Sequence, residues 1–322
     1  MKRRTLLATI AAGLAMPAVR SQAAARQIGW ISSDSPQAMA PFVAAFRAGL
    51  AANLPAGAEP VEVVVRHASG APRVFAEAVA ELQATGVRLI VAQGQAAVPV
   101  VQAAPSVAVV FAYSGDPVMA GIAQSLARPG GNATGVTFLQ IELMPKRVDH
   151  LRALAPSCRR IAVISNQLHP GEEMEIEACR RAVSAHGIAL AAHRVQSGSD
   201  VAAAAASALA GGAEAVLALP SALMVQQAPV IAGACTNARV PLISGWTSIA
   251  RAGALLTYGP NFADAFRHVA RIAVRVLDGA PAGSLPVEQP TTFELAINTA
   301  TATTIGLGLP PTLLALADVV IE

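Results

Sequence analysis

The chain has 322 residues, of which 54% are hydrophobic and 13% are charged, and its formal net charge is +3. This length is sufficient for two domains with sizeable cores. The positive charge depends on the first 25 residues, whose basic side chains are Lys2, Arg3, Arg4 and Arg20. Without them, 19 basic residues face 20 acidic ones, and no basic tract remains. The electrostatic footprint of a nucleic-acid-binding protein is therefore missing.

The N-terminus has the three parts of a secretory signal peptide. A basic start is followed by an apolar stretch at 6–19 and by small residues that end at Ala25. The apolar stretch is too short to span a membrane, and we expect cleavage near Ala23 or Ala25. The basic start fits the Sec and the twin-arginine routes equally. No cysteine lies near the cleavage region, so we expect no lipid anchor and predict a soluble periplasmic protein.

Strand and helix patterns alternate from Arg26 onward. Short apolar runs separated by amphipathic stretches predict βαβ units and parallel sheets. In the first half we predict strands at 27–31, 61–66, 89–92 and 107–113 and helices at 37–53, 74–85 and 96–103. Between Val118 and Arg128 we expect a short helix stopped by Pro129 and Gly130, and then extended chain at 134–137.

The same pattern then starts again. We predict helices at 143–154, 172–186, 200–210 and 222–238 and strands at 160–165, 190–195, 215–219 and 240–244. A strand at 255–260, a helix at 262–277, a Pro-punctuated link at 280–290, a strand at 293–297 and a helix at 299–305 follow. These late elements do not fit a third domain, which indicates that the chain crosses between two lobes more than once. A cleft between such lobes can close on a ligand.

No pattern for a metal or a catalytic group is found. Cys158, Cys179 and Cys235 have no CxxC spacing, and we expect three buried thiols, with a Cys158–Cys179 bridge left open. No GxGxxG follows a strand, and there is no GxSxG. We expect the histidines on helices and surface positions rather than at strand ends: His67, His150, His169, His186, His193 and His268. The sequence thus predicts no enzyme, no cofactor and no metal.

Several ordered motifs carry a resemblance to a known family. They are Asp116-Pro117-Val118, the stretches 125–132 and 134–136, Tyr258-Gly259-Pro260, and the stretches 285–290, 293–295 and 297–298. Over essentially the whole mature chain, the sequence resembles the ABC-transporter substrate-binding family that includes the tryptophan-binding lipoproteins. The resemblance implies the type I periplasmic-binding fold, an α/β fold with two Rossmann-like lobes, parallel sheets and three crossings. It also implies capture of a small solute and delivery to an ABC permease in the inner membrane.

With this fold, we predict that lobe 1 comprises 26–135 and 259–287 and lobe 2 comprises 136–258 and 288–322, with the ligand cleft between them. We expect a monomer. Two positions depart from the family pattern: Gln93-Gly94-Gln95 replaces a typical Gly-Thr turn, and Asn166-Gln167 replaces Asn-Pro. Both are expected to face the cleft, so the solute of a relative cannot be assigned to this chain.

Loops after the strands are expected to line the cleft, since ligands in such folds bind beyond the carboxyl ends of strands. The candidates are Ser32, Ser33, Asp34, Gln93, Gly94, Gln95, Tyr113, Asp116, Asn166, Ser221, Trp246 and Tyr258. Hydroxyl, amide and helix N-terminal donors suit a carboxylate. Asp34 or Asp116 could bind an ammonium group, and Trp246 could stack on the ligand.

Each candidate also has a structural interpretation. The serines can cap helices, and Asp116 before Pro117 can start a turn. Trp246 can pack in the core, and Tyr258 can shape a crossing between the lobes. The preferred function is solute binding for an ABC importer, with an amino acid or small carboxylate as ligand. The alternatives are a sensory module for a membrane receptor and an exported enzyme that would use Asp34 with Asp116.

Overall fold

The structure, a computed structural model, describes residues 26–68, 71–169 and 171–322. The predicted signal peptide lies outside the described residues. Within the described part, no helix is both long and apolar enough to cross a bilayer.

The first sheet has five parallel strands in the order β2-β1-β3-β4-β5. These strands are β1 (Gln27–Ser32), β2 (Glu62–His67), β3 (Leu89–Gln93), β4 (Ala108–Tyr113) and β5 (Ala133–Thr137). The connecting helices are α1 (Pro36–Asn53), α2 (Pro72–Ala84) and α3 (Ala97–Ala103), which follows a 3₁₀ turn at Gly94–Ala96. Every residue of β3 is buried, as expected for a parallel sheet that is covered on both faces.

The second sheet has seven strands in the order β12-β11-β10-β9-β8-β6-β7, and only the β10–β11 pair is antiparallel. The strands are β6 (Arg160–Asn166), β7 (Ala189–Val195), β8 (Ala215–Ala218), β9 (Leu242–Ser244), β10 (Leu256–Pro260), β11 (Phe293–Asn298) and β12 (Val319–Ile321). The helices that follow α3 in the chain are α4 (Met144–Leu154), α5 (Glu172–Ser184), α6 (Gly198–Ala210), α7 (Ala222–Asn237), α8 (Thr247–Arg251), α9 (Phe262–Leu277), α10 (Thr299–Ile305) and α11 (Pro311–Ala315).

Helix α9 comes after β10 of the second sheet in the chain, but it packs in the first lobe. Its Phe266 stacks on Trp30 of β1 with ring centroids 5.6 Å apart and on Phe42 of α1 at 5.4 Å. The chain then runs beside β5, where the Glu288 amide donates to the Gly135 carbonyl at 2.8 Å, before it enters β11. It therefore crosses between the lobes after β5, after β10 and before β11. The predicted α/β fold with two lobes and three crossings is confirmed, whereas the division of the chain at the predicted lobe limits stays a prediction.

The helix expected between Val118 and Arg128 was wrong, because this segment forms turns. Asp116 Oδ1 accepts hydrogen bonds from the amides of Val118 and Met119 at 2.8 and 3.1 Å, which starts one turn. Gly121 then adopts a left-handed conformation with φ of 72°, so the turn does not propagate. A single turn gains too few hydrogen bonds to persist as a helix without tertiary packing.

Three short elements, α8, α11 and β12, were not predicted, because each has five residues or fewer and is too short for its periodicity to show. The cysteines are buried free thiols, so the bridge left open between Cys158 and Cys179 is not formed. Burial raises the pKa of Cys179 and of Cys235 to about 12.

Candidate ligand-binding site

Strand ends from both lobes meet at one small polar cavity with a volume of about 20 Å³. The first lobe contributes Ser33, Asp34, Gln93, Gly94, Gln95, Ala112 and Ser114; the second contributes Asn166, His169, Ser221, Ala222 and Trp246; and Phe138 and Phe262 come from the crossings. A cavity of this size holds about one water molecule. The two lobes are therefore closed on each other, and a solute needs them to separate before it can enter.

Eight of the predicted binding residues line this cavity: Ser33, Asp34, Gln93, Gly94, Gln95, Asn166, Ser221 and Trp246. Parallel strands place their carboxyl ends at one edge, and the crossings turn these edges of the two sheets towards each other. Their role in binding stays a prediction.

Asp34 is the carboxylate that the first lobe presents to the cavity. Its amide donates to Ser32 Oγ at 3.1 Å, and Ser32 Oγ lies 3.2 Å from Asp34 Oδ2. Ser32 does not line the cavity but holds Asp34 in place. The ring nitrogen Nδ1 of His67 lies 2.8 Å from the carbonyl oxygen of Asp34. Burial raises the pKa of Asp34, and the hydrogen bond from Ser32 opposes this shift. A cationic ligand group would favour the charged form of this carboxylate.

Two buried polar atoms beside Asp34 lack protein partners. Gln93 Oε1 and Trp246 Nε1 have no hydrogen bond to any described residue, although the side chains are almost inaccessible. An unsatisfied buried polar atom costs about 1–3 kcal/mol, so partners on a ligand would offset this cost. The Trp246 ring packs against Phe262 at 4.4 Å, and Phe262 stacks on Phe138 at 5.6 Å. We call these three rings the aromatic wall.

The second lobe offers donors opposite Asp34. Ser221 is the N-cap of α7, and its Oγ accepts the amide of Met224 at 3.2 Å; its hydroxyl hydrogen stays available as a donor. Asn166 Oδ1 accepts the amide of Leu168 at 3.0 Å, which leaves its amide group available. The positive end of the α7 dipole favours an anionic group at this side of the cavity.

Three other predicted residues lie outside the cavity. Tyr113 packs against Phe111, with ring centroids 6.4 Å apart, and burial raises its pKa to about 12. Asp116 starts the turn described above, which is the structural role that the sequence analysis gave as the alternative to ligand binding. The Tyr258 ring packs against His150 at 5.0 Å, beneath the second crossing.

The expectation that histidines avoid strand ends was wrong for two of them. His67 is the last residue of β2, and His169 follows β6 in the loop that lines the cavity. The loop with Asn166 was expected to line the cleft, but His169 was not a candidate. Ser114 lies in the loop after β4, which was also expected to line the cleft, and it lines the cavity. Two rings of the aromatic wall, Phe138 and Phe262, were missed, because a phenylalanine after a strand fits ordinary core packing equally well.

A fully buried arginine lies behind the second-lobe loops. Arg147 Nε donates to the Tyr258 carbonyl at 2.8 Å, and its Nη2 donates to Gln140 Oε1 at 2.6 Å. Gln140 lies in the first crossing, and β10 with Tyr258 leads to the second. Burial lowers the pKa of Arg147 to about 10, and the nearby Glu175, Cys179 and Tyr258 oppose this effect. Arg147 thus links Gln140 in the first crossing to Tyr258 of β10, the strand that leads to the second crossing.

Comparison with known proteins identifies the family. A family model described as ABC transporter substrate binding protein matches residues 33–321. The chain belongs to this family. It is 25% identical over 184 residues to a tyrosine-binding protein of Clostridioides difficile (strain R20291). That match covers 57% of this chain and 52% of the relative, about half the length of the curated protein.

Solved structures resemble this substrate-binding protein over most of its length. A conserved domain protein from Vibrio cholerae shares 22% identity at a TM-score of 0.84, covering 92% of this chain and all of that one. An ABC domain from Streptococcus pneumoniae, solved in complex with L-Trp, shares 22% identity at a TM-score of 0.80 with the same coverage. These likenesses confirm the fold. The predicted family is confirmed as well, and its members bind substrates rather than transform them.

Proposed function

We propose that this substrate-binding protein captures an α-amino acid or a similar small carboxylate in the periplasm and delivers it to an ABC permease of the inner membrane. The observation that carries the proposal is the cavity between the lobes, which is lined by the half-buried Asp34 of the first lobe and by second-lobe donors around Ser221. A zwitterion has an ammonium group that can bind Asp34 and a carboxylate that can bind the second-lobe donors. We also expect the protein to act as a monomer.

The aromatic wall favours an apolar side chain on the solute. Trp246, Phe138 and Phe262 are the large apolar residues that line the cavity, and stacked or edge-on rings bind aromatic and aliphatic groups well. The Clostridioides relative is named a tyrosine-binding protein and the Streptococcus structure is a complex with L-Trp, which supports this solute class.

Closure of the lobes is the proposed mechanism. A solute shifts the balance between open and closed forms only if it binds the closed form better. A zwitterion that contacts Asp34 on one lobe and Ser221 on the other meets this condition, since both contacts require the two lobes to lie close together around the solute. The closed form is then the one that the permease would accept.

The test is a thermal-shift screen of the exported protein against L-amino acids, small carboxylates, purines and sugars. Ligands that bind the folded state raise the melting temperature by mass action. We expect shifts from apolar and aromatic L-amino acids, and their loss in Asp34→Asn. The control is Asp278→Asn, whose carboxylate pairs with Arg26 outside the cavity. Shifts only from sugars or purines, or full binding by Asp34→Asn, would refute the proposal.

A further inference from the structure

His169 and Glu175 form a buried pair at the second-lobe side of the cavity. The side chain of His169 is 9% exposed and that of Glu175 is fully buried, and His169 Nε2 lies 3.6 Å from Glu175 Oε1. His169 lines the cavity, whereas Glu175 lies behind it on α5. Nε2 and both carboxyl oxygens lack a hydrogen-bond partner among the described residues. Three unsatisfied atoms at one place call for a functional explanation.

The surroundings of Glu175 keep its carboxyl group neutral. The charged groups that face it are Arg147 from α4, Glu172 from its own helix and Glu142 from the turn before α4. Burial raises the pKa of Glu175 to about 8, although Arg147 opposes the shift. Burial also lowers the pKa of His169 to about 4. Near pH 7 the pair therefore holds one proton, which lies on Glu175.

Two of the three neighbouring charged groups, Arg147 and Glu172, are already engaged. Arg147 donates to the Tyr258 carbonyl and to Gln140 rather than to Glu175. Glu172 accepts from Ser165 Oγ at 2.5 Å and pairs with Arg194 at 3.2 Å. Consequently, His169 is the group to which Glu175 can pass a proton.

We propose that His169 recognises the carboxylate of the solute from the second lobe, and that Glu175 supplies the proton that charges His169 when the solute binds. This inference rests on the proposed function of the cavity. The O–H bond of Glu175 breaks and an N–H bond forms at Nε2 of His169, so no proton is exchanged with solvent. The imidazolium lies between two carboxylates, Glu175 behind it and the solute in front. The 3.6 Å contact within the second lobe must shorten when the solute binds for the transfer to occur.

The His169–Glu175 pair narrows the proposed solute class to α-amino acids with a free carboxylate. With the ammonium group at Asp34 and the carboxylate at His169, an α-amino acid lies across the cavity from one lobe to the other. A primary amide carries no negative charge and cannot stabilise the imidazolium, so the pair should discriminate an amino acid from its amide.

The first experiment measures this discrimination by calorimetric titration. The probes are L-leucine, L-phenylalanine, L-tyrosine and L-tryptophan, each compared with its primary amide. We expect the wild-type protein to prefer the acid by at least 100-fold and His169→Gln to lower that preference at least tenfold. The control His186→Gln removes an exposed imidazole on the same lobe and should keep the preference. An unchanged preference in His169→Gln overturns this inference alone, whereas failure of all four acids to bind the wild-type protein overturns the proposed function and the inference with it.

The second experiment tests the source of the proton through the pH dependence of Kd. For the wild-type protein we expect the pair to add no pH dependence to Kd between pH 5 and 7, because the proton is internal, and to weaken binding up to tenfold per pH unit above pH 8. In Glu175→Gln the proton must come from solvent, so binding should weaken up to tenfold per unit already between pH 5 and 7. Asp34 titrates in both proteins, so the difference between the two profiles reports Glu175. The control is Glu173→Gln on the same helix. Identical profiles for Glu175→Gln and wild type would overturn the transfer.

A third measurement needs no substitution in the pair. In ¹⁵N-histidine-labelled wild-type protein at pH 7, the ring nitrogens of His169 should change from the neutral to the doubly protonated pattern when the amino acid is added. A neutral ring in the saturated complex overturns the proposal.

Discussion

The close pairing of β4 and β5 makes a glycine there sensitive to a single methyl group. Gly135 lies opposite Phe111 in the parallel register, and a Cβ at Gly135 would lie 2.1 Å from the Phe111 carbonyl oxygen and 2.7 Å from its amide nitrogen. Both atoms belong to the backbone, so no rotamer change relieves the clash. Overpacking costs about 1–3 kcal/mol, and separation of the strands would weaken about two ladder hydrogen bonds at about 1 kcal/mol each. We expect Gly135→Ala to lower the free energy of unfolding by about 3–5 kcal/mol.

Urea unfolding followed by tryptophan fluorescence measures this loss. In a Trp246→Phe background, Trp30 alone reports, and it is fully buried in the first-lobe core. The matched control is Gly233→Ala in α7, where a Cβ would meet nothing within 4 Å. Since alanine is the better helix former, the control should gain about 1 kcal/mol. A Gly135→Ala protein within about 1 kcal/mol of its parent would refute the steric argument.

Further predictions concern the buried titratable groups. Burial raises the pKa of Glu175 in the folded protein to about 8, whereas an ordinary glutamate has a pKa near 4.5. The free energy of unfolding therefore falls as pH rises between these two values. The lowered pKa of His169 has the opposite effect: it makes the free energy of unfolding rise with pH up to about pH 6.5. Urea titrations should therefore show a net loss of about 1 kcal/mol between pH 6.5 and 8, and Glu175→Gln should abolish it. Arg147→Lys should lose about 2–4 kcal/mol in the same assay, since acceptors in two crossings are left unsatisfied; a loss below about 1 kcal/mol would contradict this role. A thiol reagent should label Cys158, Cys179 and Cys235 only after denaturation, and rapid labelling of the native protein would contradict their burial.

The alternation of apolar runs and amphipathic stretches was sufficient to predict the two-lobed fold. Strands such as β3 are buried along their whole length, and α9 has a continuous apolar face that includes Phe266 and Val269, so local pattern and tertiary burial agree. The turns after Asp116 were misjudged, because a Gly121 in the left-handed conformation ends a helix that composition alone favours. The three shortest elements depend on packing against a sheet rather than on their own sequence.

The candidate site was predicted only where strand ends indicate it. Asp34, Gln93 and Asn166 directly follow or end strands, so the rule for parallel sheets finds them. The aromatic wall was found only in part. Phe138 and Phe262 follow β5 and β10 by one and two residues, but a phenylalanine at such a position fits core packing as well as ligand contact. Nor does sequence spacing show that Glu175, on a helix behind the loop, lies next to His169.

Two family motifs owe their residue types to packing rather than to ligand chemistry. At Gly259, a Cβ would lie 2.0 Å from the Gly245 carbonyl oxygen, and at Gly245 it would lie 2.6 Å from Nη2 of Arg147. The Tyr258-Gly259-Pro260 motif therefore permits the close approach that lets Arg147 join two crossings. Asp116, in the other motif, caps a turn. If these motifs maintain the crossings, chains that share them can share closure while differing in solute, and we expect residues outside the motifs to decide the solute, the proposed carboxylate-binding His169 among them.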